Sequence, residues 1–313
     1  MVQGVRVKVG IVVLNYNGAQ DTINCIKSLE SLEFENGEVQ VVVVDNSEEM
    51  NDFNLFQKIY SEAQFISQDE NIVSNAALVF IKSKKNGGYG AGNNIGIKFL
   101  LNNGCDYIWV LNNDTVVDKQ ALHYLVQKLQ NAPSHIGFLG NKLLYQGDII
   151  QAIGGKYNRF IAQARGLCAF EKDEGQYDKE NIADLVDYPV GASLLFKREF
   201  LENVGLFNET YFLYFEEMDY VLRAKNMGWD FDICYKAKVW HKEGSSTREH
   251  LMSRTEFADF INLKNRIVFT KRYFPCYIPF VYLSMGIVVF NRLRRGRSET
   301  VKKLIKFIFG KKS

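Results

Sequence analysis

Short, nearly unbroken apolar runs alternate with amphipathic stretches through the first third of the chain. Residues 9–18, VGIVVLNYNG, form an apolar run closed by turn formers, the pattern of a parallel strand buried on both faces. Asp21 and Thr22 then offer caps to a helix whose Ile23, Ile26, Leu29 and Leu32 share one face. Residues 39–47, VQVVVVDNS, repeat the strand pattern. Residues 77–94 predict a third strand and a glycine-rich loop, 95–103 a helix, and 106–114, DYIWVLNND, a further strand. Strand and helix in alternation imply right-handed βαβ units, hence an α/β fold with a mainly parallel sheet.

The second half is less regular. Segments 137–145, 187–205 and 229–244 offer strands around a helix at roughly 214–227. No linker separates the halves. The expected organisation is a ligand-binding half over 1–125, a second half over 126–275, and a tail over 276–313, the first two packed as one composite domain.

Ligands in such sheets collect beyond the carboxyl ends of the strands. Polar clusters at 15–18, 45–47, 86–94 and 112–114 all follow predicted strand ends, so they converge on one rim. A turn accounts for any one of them alone, but less well for four together. At that rim Asp45 can accept the N3–H of uracil or thymine, a donor that cytosine lacks. The run NGGYGAGNN resembles a dinucleotide fingerprint but fails it, because Asn93 stands where the third glycine belongs and the run follows the third predicted strand. Its glycines, Gly88 among them, still admit close approach of a ligand. Asp114 suits a hard divalent cation, Mg²⁺ or Mn²⁺, held jointly with a diphosphate. His241, predicted at a strand end before a Gly-Ser-Ser turn, is a distant partner for it. Glu216, Glu217 and Asp219 open a helix. There the helix dipole explains them, and a general base for an acceptor hydroxyl explains them equally.

Charge separates the tail from the rest. The net charge is +2, yet residues 291–313 hold nine Lys/Arg against Glu299 alone, a local +8. The rest of the chain therefore carries −6. Residues 277–290 are 14 residues without a charge, shorter than the ~20 that a spanning helix needs. From Ser298, Val301, Leu304, Ile305 and Ile308 follow helical spacing beside Lys302, Lys303 and Lys306, which predicts a basic amphipathic helix lying on an anionic membrane. A helix packed on the protein's own core fits the same spacing. The five scattered cysteines include no C-x-x-C pair, the pattern of a reduced protein, and the N-terminal run lacks the features of a signal peptide.

In order and spacing, VVLNYNG, VVVVDNS, NGGYGAGNN, LNNDTVV, the segment from VGASLLF to NMGW, and VWHKEGSS resemble the family 2 glycosyltransferases, nearest to rhamnosyltransferase-like enzymes of bacterial surface polysaccharide assembly. The resemblance covers roughly residues 8–275 and implies a GT-A fold. It also implies metal-dependent, inverting transfer from a dTDP- or UDP-sugar, with dTDP-rhamnose among the donors, to a saccharide that can be lipid-linked. By position it implies Asp45 on the base, with Asn15, Asn17, Asn46, Gly88 and Asn93 around the donor. Asn112, Asn113 and Asp114 stand at the D-x-D site, with the amides on the nucleotide. Asp114 and His241 would hold the metal, Gly191 and Ala192 would lie near donor sugar and acceptor, and Glu217 would be the base. Asn112 departs from the usual first Asp. Glu217 departs from the commoner Asp, so the choice between Glu216 and Glu217 stays open. The implied location is the cytoplasmic face of the membrane, and nucleic acid is not an expected partner. The rival is a membrane-associated nucleotide-sugar-binding protein without turnover; a nucleotidyltransferase is disfavoured because residues 15–21 hold no basic residue for a triphosphate.

Overall fold

The structure, a computed structural model, describes residues 6–70, 72–179, 181–242 and 256–310. The Gly-Ser-Ser turn after His241 and the tail residues Lys311 and Lys312 lie outside the described residues. In chain order the elements are β1 (Val7–Asn15), α1 (Ala19–Glu30), β2 (Gly37–Asp45), α2 (Asn51–Ile59), β3 (Gln64–Ser67), β4 (Leu78–Lys82), α3 (Gly88–Asn102), β5 (Tyr107–Asn112), β6 (Thr115–Val117) and α4 (Ala121–Asn131). There follow β7 (Ile136–Tyr145), β8 (Ile149–Ala152), β9 (Gly155–Asn158), β10 (Gln163–Gly166), β11 (Ser193–Lys197), α5 (Arg198–Val204), α6 (Glu216–Asn226), β12 (Asp230–His241), α7 (Glu256–Tyr273), α8 (Ile278–Arg294) and α9 (Ser298–Ile308).

One sheet runs through both halves in the order β3-β4-β2-β1-β5-β11-β7-β12-β6, with β8 paired to β7. Neighbours from β3 to β5 are parallel, β11 is antiparallel to β5 and β7, and β12 is parallel to β7. Side chains alternate between faces with period two. Val12, Val42, Val44, Ile108 and Val110 join the core under α3, while Ile11, Val13, Val43, Trp109 and Leu111 join the core that takes Ile23 and Ile26 of α1. Burial on both faces explains why the predicted strands carry no polar alternation.

Three local expectations are corrected. The cap of α1 is Gly18 with no side-chain cap bond; Asp21 and Thr22 lie inside its first turn, and Leu32 lies beyond its end. The glycine-rich run is the start of α3 and not a loop. A Cβ on Gly92 would lie 2.4 Å from Leu14 Cδ1, and one on Gly96 would lie 2.6 Å from Val12 Cγ1. These glycines therefore let a helix press onto β1, and helix propensity yields to packing. Strand β3 and the β9–β10 hairpin were not foreseen, because their four-residue runs carry little periodicity.

The tail also differs from expectation. Leu304 of α9 is buried in a cluster with Phe260, Ile267, Val281 and Met285, and Val301 is buried too, so the apolar face assigned to a membrane is spent largely on the protein itself. The exposed apolar stripe belongs to α8, where Phe280, Leu283, Ile287 and Phe290 are half to three-quarters exposed. With the 3-10 turn at Pro275–Tyr277, α8 makes a 20-residue helical run long and apolar enough to cross a membrane by length and composition. The 14-residue count failed because the helix takes in residues on both sides of the uncharged stretch. Arg292 near its end makes two bonds, 2.6 and 2.8 Å, to buried Asp259 of α7. Burial alone would raise the Asp259 carboxyl, but the Arg292 and Arg297 guanidiniums together hold it below the ordinary carboxylate value.

Candidate active site

The four polar clusters do meet at the carboxyl ends of β1, β2, β4 and β5. Asn15, fully buried, donates from Nδ2 to Asp45 Oδ1 and to Asp52 Oδ2, both at 2.9 Å, and accepts from Thr22 Oγ1 at 2.7 Å. Asp45 Oδ1 also accepts from the Ser47 amide at 3.1 Å, and its Oδ2 takes Lys82 Nζ at 2.8 Å. The carboxylate expected on a base is thus wholly buried and bonded within the protein, so in this arrangement its direct role is to brace the rim. Asn46 donates to Asn86 Oδ1 and the Gly88 carbonyl, and accepts from Ser83. Asn17, exposed, holds a left-handed φ of 49° and donates its amide to Ser47 Oγ. Tyr16 beside it is half exposed, an aromatic face at the rim that the sequence reading passed over.

Gly88 and Asn93 point elsewhere than expected. A Cβ on Gly88 would fall 2.0 Å from the Phe212 carbonyl, and its φ is +86°. Tyr89 N donates to that same carbonyl at 2.9 Å. Gly88 therefore serves the docking of α3 against the chain before α6. Asn93 is fully buried, donates to the Tyr89 carbonyl, and leaves Oδ1 without a partner.

Beyond β5 the two amides also turn inward. Asn113 Nδ2 bonds Asn15 Oδ1, the Gly18 carbonyl and Thr22 Oγ1 at 3.1–3.4 Å, tying β5 to the start of α1. Asn112 donates its amide to the Ala192 carbonyl at 3.0 Å, and its Nδ2 lies 3.3 Å from His241 Nε2. Asp114 Oδ1 lies 3.1 Å from the same nitrogen. His241 Nδ1 is 2.7 Å from Gln151 Oε1. An amide oxygen only accepts, so Nδ1 carries a proton and Nε2 is the ring nitrogen that faces Asp114. Asp114 Oδ1 and His241 Nε2 thus converge at the edge of a cavity of about 660 Å³ lined by Asp114, His241, Tyr145 and Trp240. This donor set fits a divalent cation such as Mn²⁺ or Mg²⁺. Among the described residues no group of three or more His, Cys, Asp or Glu could hold a metal, so a cation held here would need further oxygens from a bound ligand and water. Gln151 carried no signal in the sequence, because only the β7–β8 pairing brings it to His241.

The chain from Ala192 leads to the carboxylates. The Gly191 carbonyl accepts from Tyr89 Oη at 2.5 Å. A Cβ there would lie 3.8 Å from Glu217 Cδ, so the missing side chain leaves space beside that carboxyl. Tyr214 and Phe215 both hold left-handed φ, 70° and 77°, and this bent entry aims the first turn of α6. Glu216 is buried with Oε1 unpartnered; burial and then the charge of Glu217 push its pKa well above the usual carboxylate value. Glu217 is the more accessible of the two, and burial pushes it up to about 7. Asp219, read as part of the same polar face, is fully buried and bonds Arg223, Asn208 and Tyr273, a structural role.

Sheet order and rim define a GT-A-like α/β fold whose strand order reverses between β1 and β5. The model of the glycosyltransferase like family 2 matches residues 6–270, and the chain belongs to that family. It is 22% identical over 244 residues to the low-salt glycan biosynthesis hexosyltransferase Agl10 of Haloferax volcanii, covering 75% of this chain and 77% of that one. The fold is similar to mannosyltransferase PcManGT of Pyrobaculum calidifontis in complex with GDP-Man and Mn²⁺, with TM-score 0.54, 12% identity, and 98% and 76% of the two chains covered. It is also similar to GalNAc-T7 with UDP, GalNAc and Mn²⁺, with TM-score 0.62, 13% identity, and 88% of this chain but 50% of that one covered. The chain spans 39% of the length of S. aureus TarS, with TM-score 0.53, 14% identity and 83% of this chain covered.

Proposed function

We propose that the protein is an inverting glycosyltransferase that moves a sugar from a nucleotide-diphosphate donor to a saccharide hydroxyl. One observation carries the reading: the Asp114–His241 pair and the Glu217 carboxyl are linked by a short path of contacts through Asn112, Ala192 and Gly191. Family membership and neighbours bound to UDP or GDP-Man with Mn²⁺ support it.

Glu217 takes the acceptor hydroxyl's proton as the oxygen attacks the anomeric carbon; a carboxylate with a pKa near 7 is basic enough to do this at neutral pH. The bond to the nucleotide diphosphate breaks on the opposite face, which inverts the anomeric centre. Asp114 and His241 would hold a divalent cation that offsets charge on the departing diphosphate. Asp45, Asn15 and Lys82 hold the rim rigid beneath the nucleotide. The space beside Gly191 takes the acceptor.

The finer reading is a dTDP- or UDP-sugar donor, in the rhamnosyltransferase-like manner, and a lipid-linked glycan acceptor in surface polysaccharide assembly. The enzyme would work at the inner membrane face. The apolar stripe of α8, flanked by Arg294, Arg295, Lys302, Lys303 and Lys306, supports the membrane part.

The test is calorimetric titration with UDP, dTDP and GDP, each with and without Mn²⁺, on wild type and Asp114→Ala. Mn²⁺-dependent binding of UDP or dTDP, lost in the variant, is expected. Failure of every nucleotide to bind overturns the reading.

A further inference from the structure

A row of aromatic rings runs from the start of α6 to the exposed face of α8. Tyr157 packs on Phe215 (ring centroids 6.3 Å apart) and on Phe274 (5.9 Å). Phe274 meets Tyr277 at 6.4 Å, Tyr277 meets Phe160 at 5.0 Å, and Phe160 meets Phe280 at 5.4 Å. Two adjoining cavities follow this row. The first, about 380 Å³, is lined by Tyr188 and Met218 beside Glu217; the second, about 930 Å³, opens past Arg165 and Tyr277. They share Tyr157, Arg159 and Asp187. Tyr188 lies close enough to Glu217 for that charge to raise its hydroxyl's pKa further, after burial.

The groove is cationic in its middle and apolar at its outer end. Asp187 pairs with Lys156 at 3.2 Å, but among the described residues no carboxylate pairs with Arg159 or Arg165. The Arg159 guanidinium sits 4.7 Å from the Phe274 ring centroid, which fixes the group and leaves its edge N–H donors for an anion. Past Tyr277 the surface continues as Phe160, Phe280 and Leu283, all half or more exposed.

We propose that this groove seats the lipid-phosphate end of the acceptor. The phosphate lies on Arg159 and Arg165, the hydrocarbon chain leaves over Phe160 and Tyr277 onto α8, and the glycan reaches back to Glu217. The occupant is a long-chain phosphate or diphosphate, because the two guanidiniums select the anion and the adjoining stripe selects the chain. The inference rests on the acceptor reading above.

Farnesyl diphosphate, inorganic diphosphate, farnesol and dihexanoyl phosphatidylglycerol serve as calorimetric probes of wild type, of Arg159→Ala/Arg165→Ala and of Asp114→Ala. Both arginines are exposed, so the double variant should keep the wild-type melting temperature. Farnesyl diphosphate is expected to bind wild type and Asp114→Ala alike, and the arginine variant roughly tenfold or more weakly. Inorganic diphosphate and farnesol are each expected to bind at least about tenfold more weakly than the joined molecule. Binding that is lost in Asp114→Ala overturns the proposal, since the probe then occupies the nucleotide rim. Binding unchanged in the arginine variant, or matched by inorganic diphosphate or by phosphatidylglycerol, overturns it too. None of these outcomes touches nucleotide binding, which reports on the transferase reading separately.

Discussion

His241 and Gln151 stand 2.7 Å apart through Nδ1 and Oε1, and that bond sets which ring nitrogen faces Asp114. Without it the ring loses both its tautomer and its orientation. Gln151→Leu is therefore expected to weaken Mn²⁺-dependent nucleotide binding by about 10–100-fold. Metal-free nucleotide binding should stay unchanged. Titrating Mn²⁺ at fixed nucleotide checks this, and equal Mn²⁺ affinity in variant and wild type would show that Gln151 does not position the ligand.

The two carboxyls at the head of α6 separate by burial. Glu217→Gln should lower turnover on the order of 10²–10⁴-fold while nucleotide affinity holds. In wild type the rate should climb as pH rises through about 7, following loss of the Glu217 proton. A rate–pH profile flat between pH 5.5 and 8 would remove Glu217 from the base role.

Glu216 makes the opposite prediction. Its carboxyl keeps its proton in the native state well above the pH of about 4.3 at which an unfolded Glu sheds it. Above that pH the native state binds more protons than the unfolded chain, so stability falls as pH rises. Glu216→Gln removes this loss. The variant should melt with wild type at pH 4 and a few degrees higher at pH 8. Equal melting temperatures at both pH values would contradict the buried, protonated carboxyl.

Much of this architecture was legible in the apolar runs. VGIVVLN and VQVVVVD are strands because both faces are covered, and each polar cluster marked a real strand end. The glycine-rich run was misread because Gly92 and Gly96 answer to the side chains of β1, a tertiary contact that local pattern does not encode. Within the proposed site, Asp114, His241 and Glu217 are candidates from residue type and order. Gln151, Lys82 and Tyr89 were not, since ordinary polar residues acquire a role only from the pairing that brings them in. The amides, expected on the nucleotide, also bond within the protein: Asn113 to Asn15, and Asn112 to His241. On α9, spacing identified the apolar face and could not say whether protein or lipid covers it.

Two glycines with the same backbone sign test the packing at the rim. Gly104, φ +77°, closes α3 with open space around its missing Cβ, whereas Gly88, φ +86°, faces the Phe212 carbonyl at 2.0 Å. Gly104→Ala should cost about 1 kcal/mol, the left-handed penalty alone. Gly88→Ala adds a backbone collision that breaks the Tyr89 N to Phe212 bond, and should cost about 3 kcal/mol or more. Urea unfolding measures both. Equal costs would mean that α3 does not press on the segment before α6 as described.

The stripe on α8 makes a prediction about membranes that α9 does not share. Leu283 and Ile287 are exposed, so Leu283→Glu/Ile287→Glu leaves the core intact while placing two carboxylates on the apolar face. Retention on anionic liposomes should fall by tenfold or more, since each buried leucine-sized side chain contributes about 1.5–3 kcal/mol. Val301→Glu instead strikes the buried face of α9 and should lower the melting temperature. The helical run at Pro275–Arg294 has the length of a span, but Val281 and Met285 are buried against α7 and α9, and Arg292 is tied to Asp259. A helix held along one side in this way offers a single face, which favours lying on the lipid over crossing it. Release of wild type from liposomes by high salt with α8 shielded from a membrane-impermeant quencher on neither leaflet would count against lipid contact altogether. Retention of the double glutamate variant at wild-type levels would assign the contact to the basic tail alone.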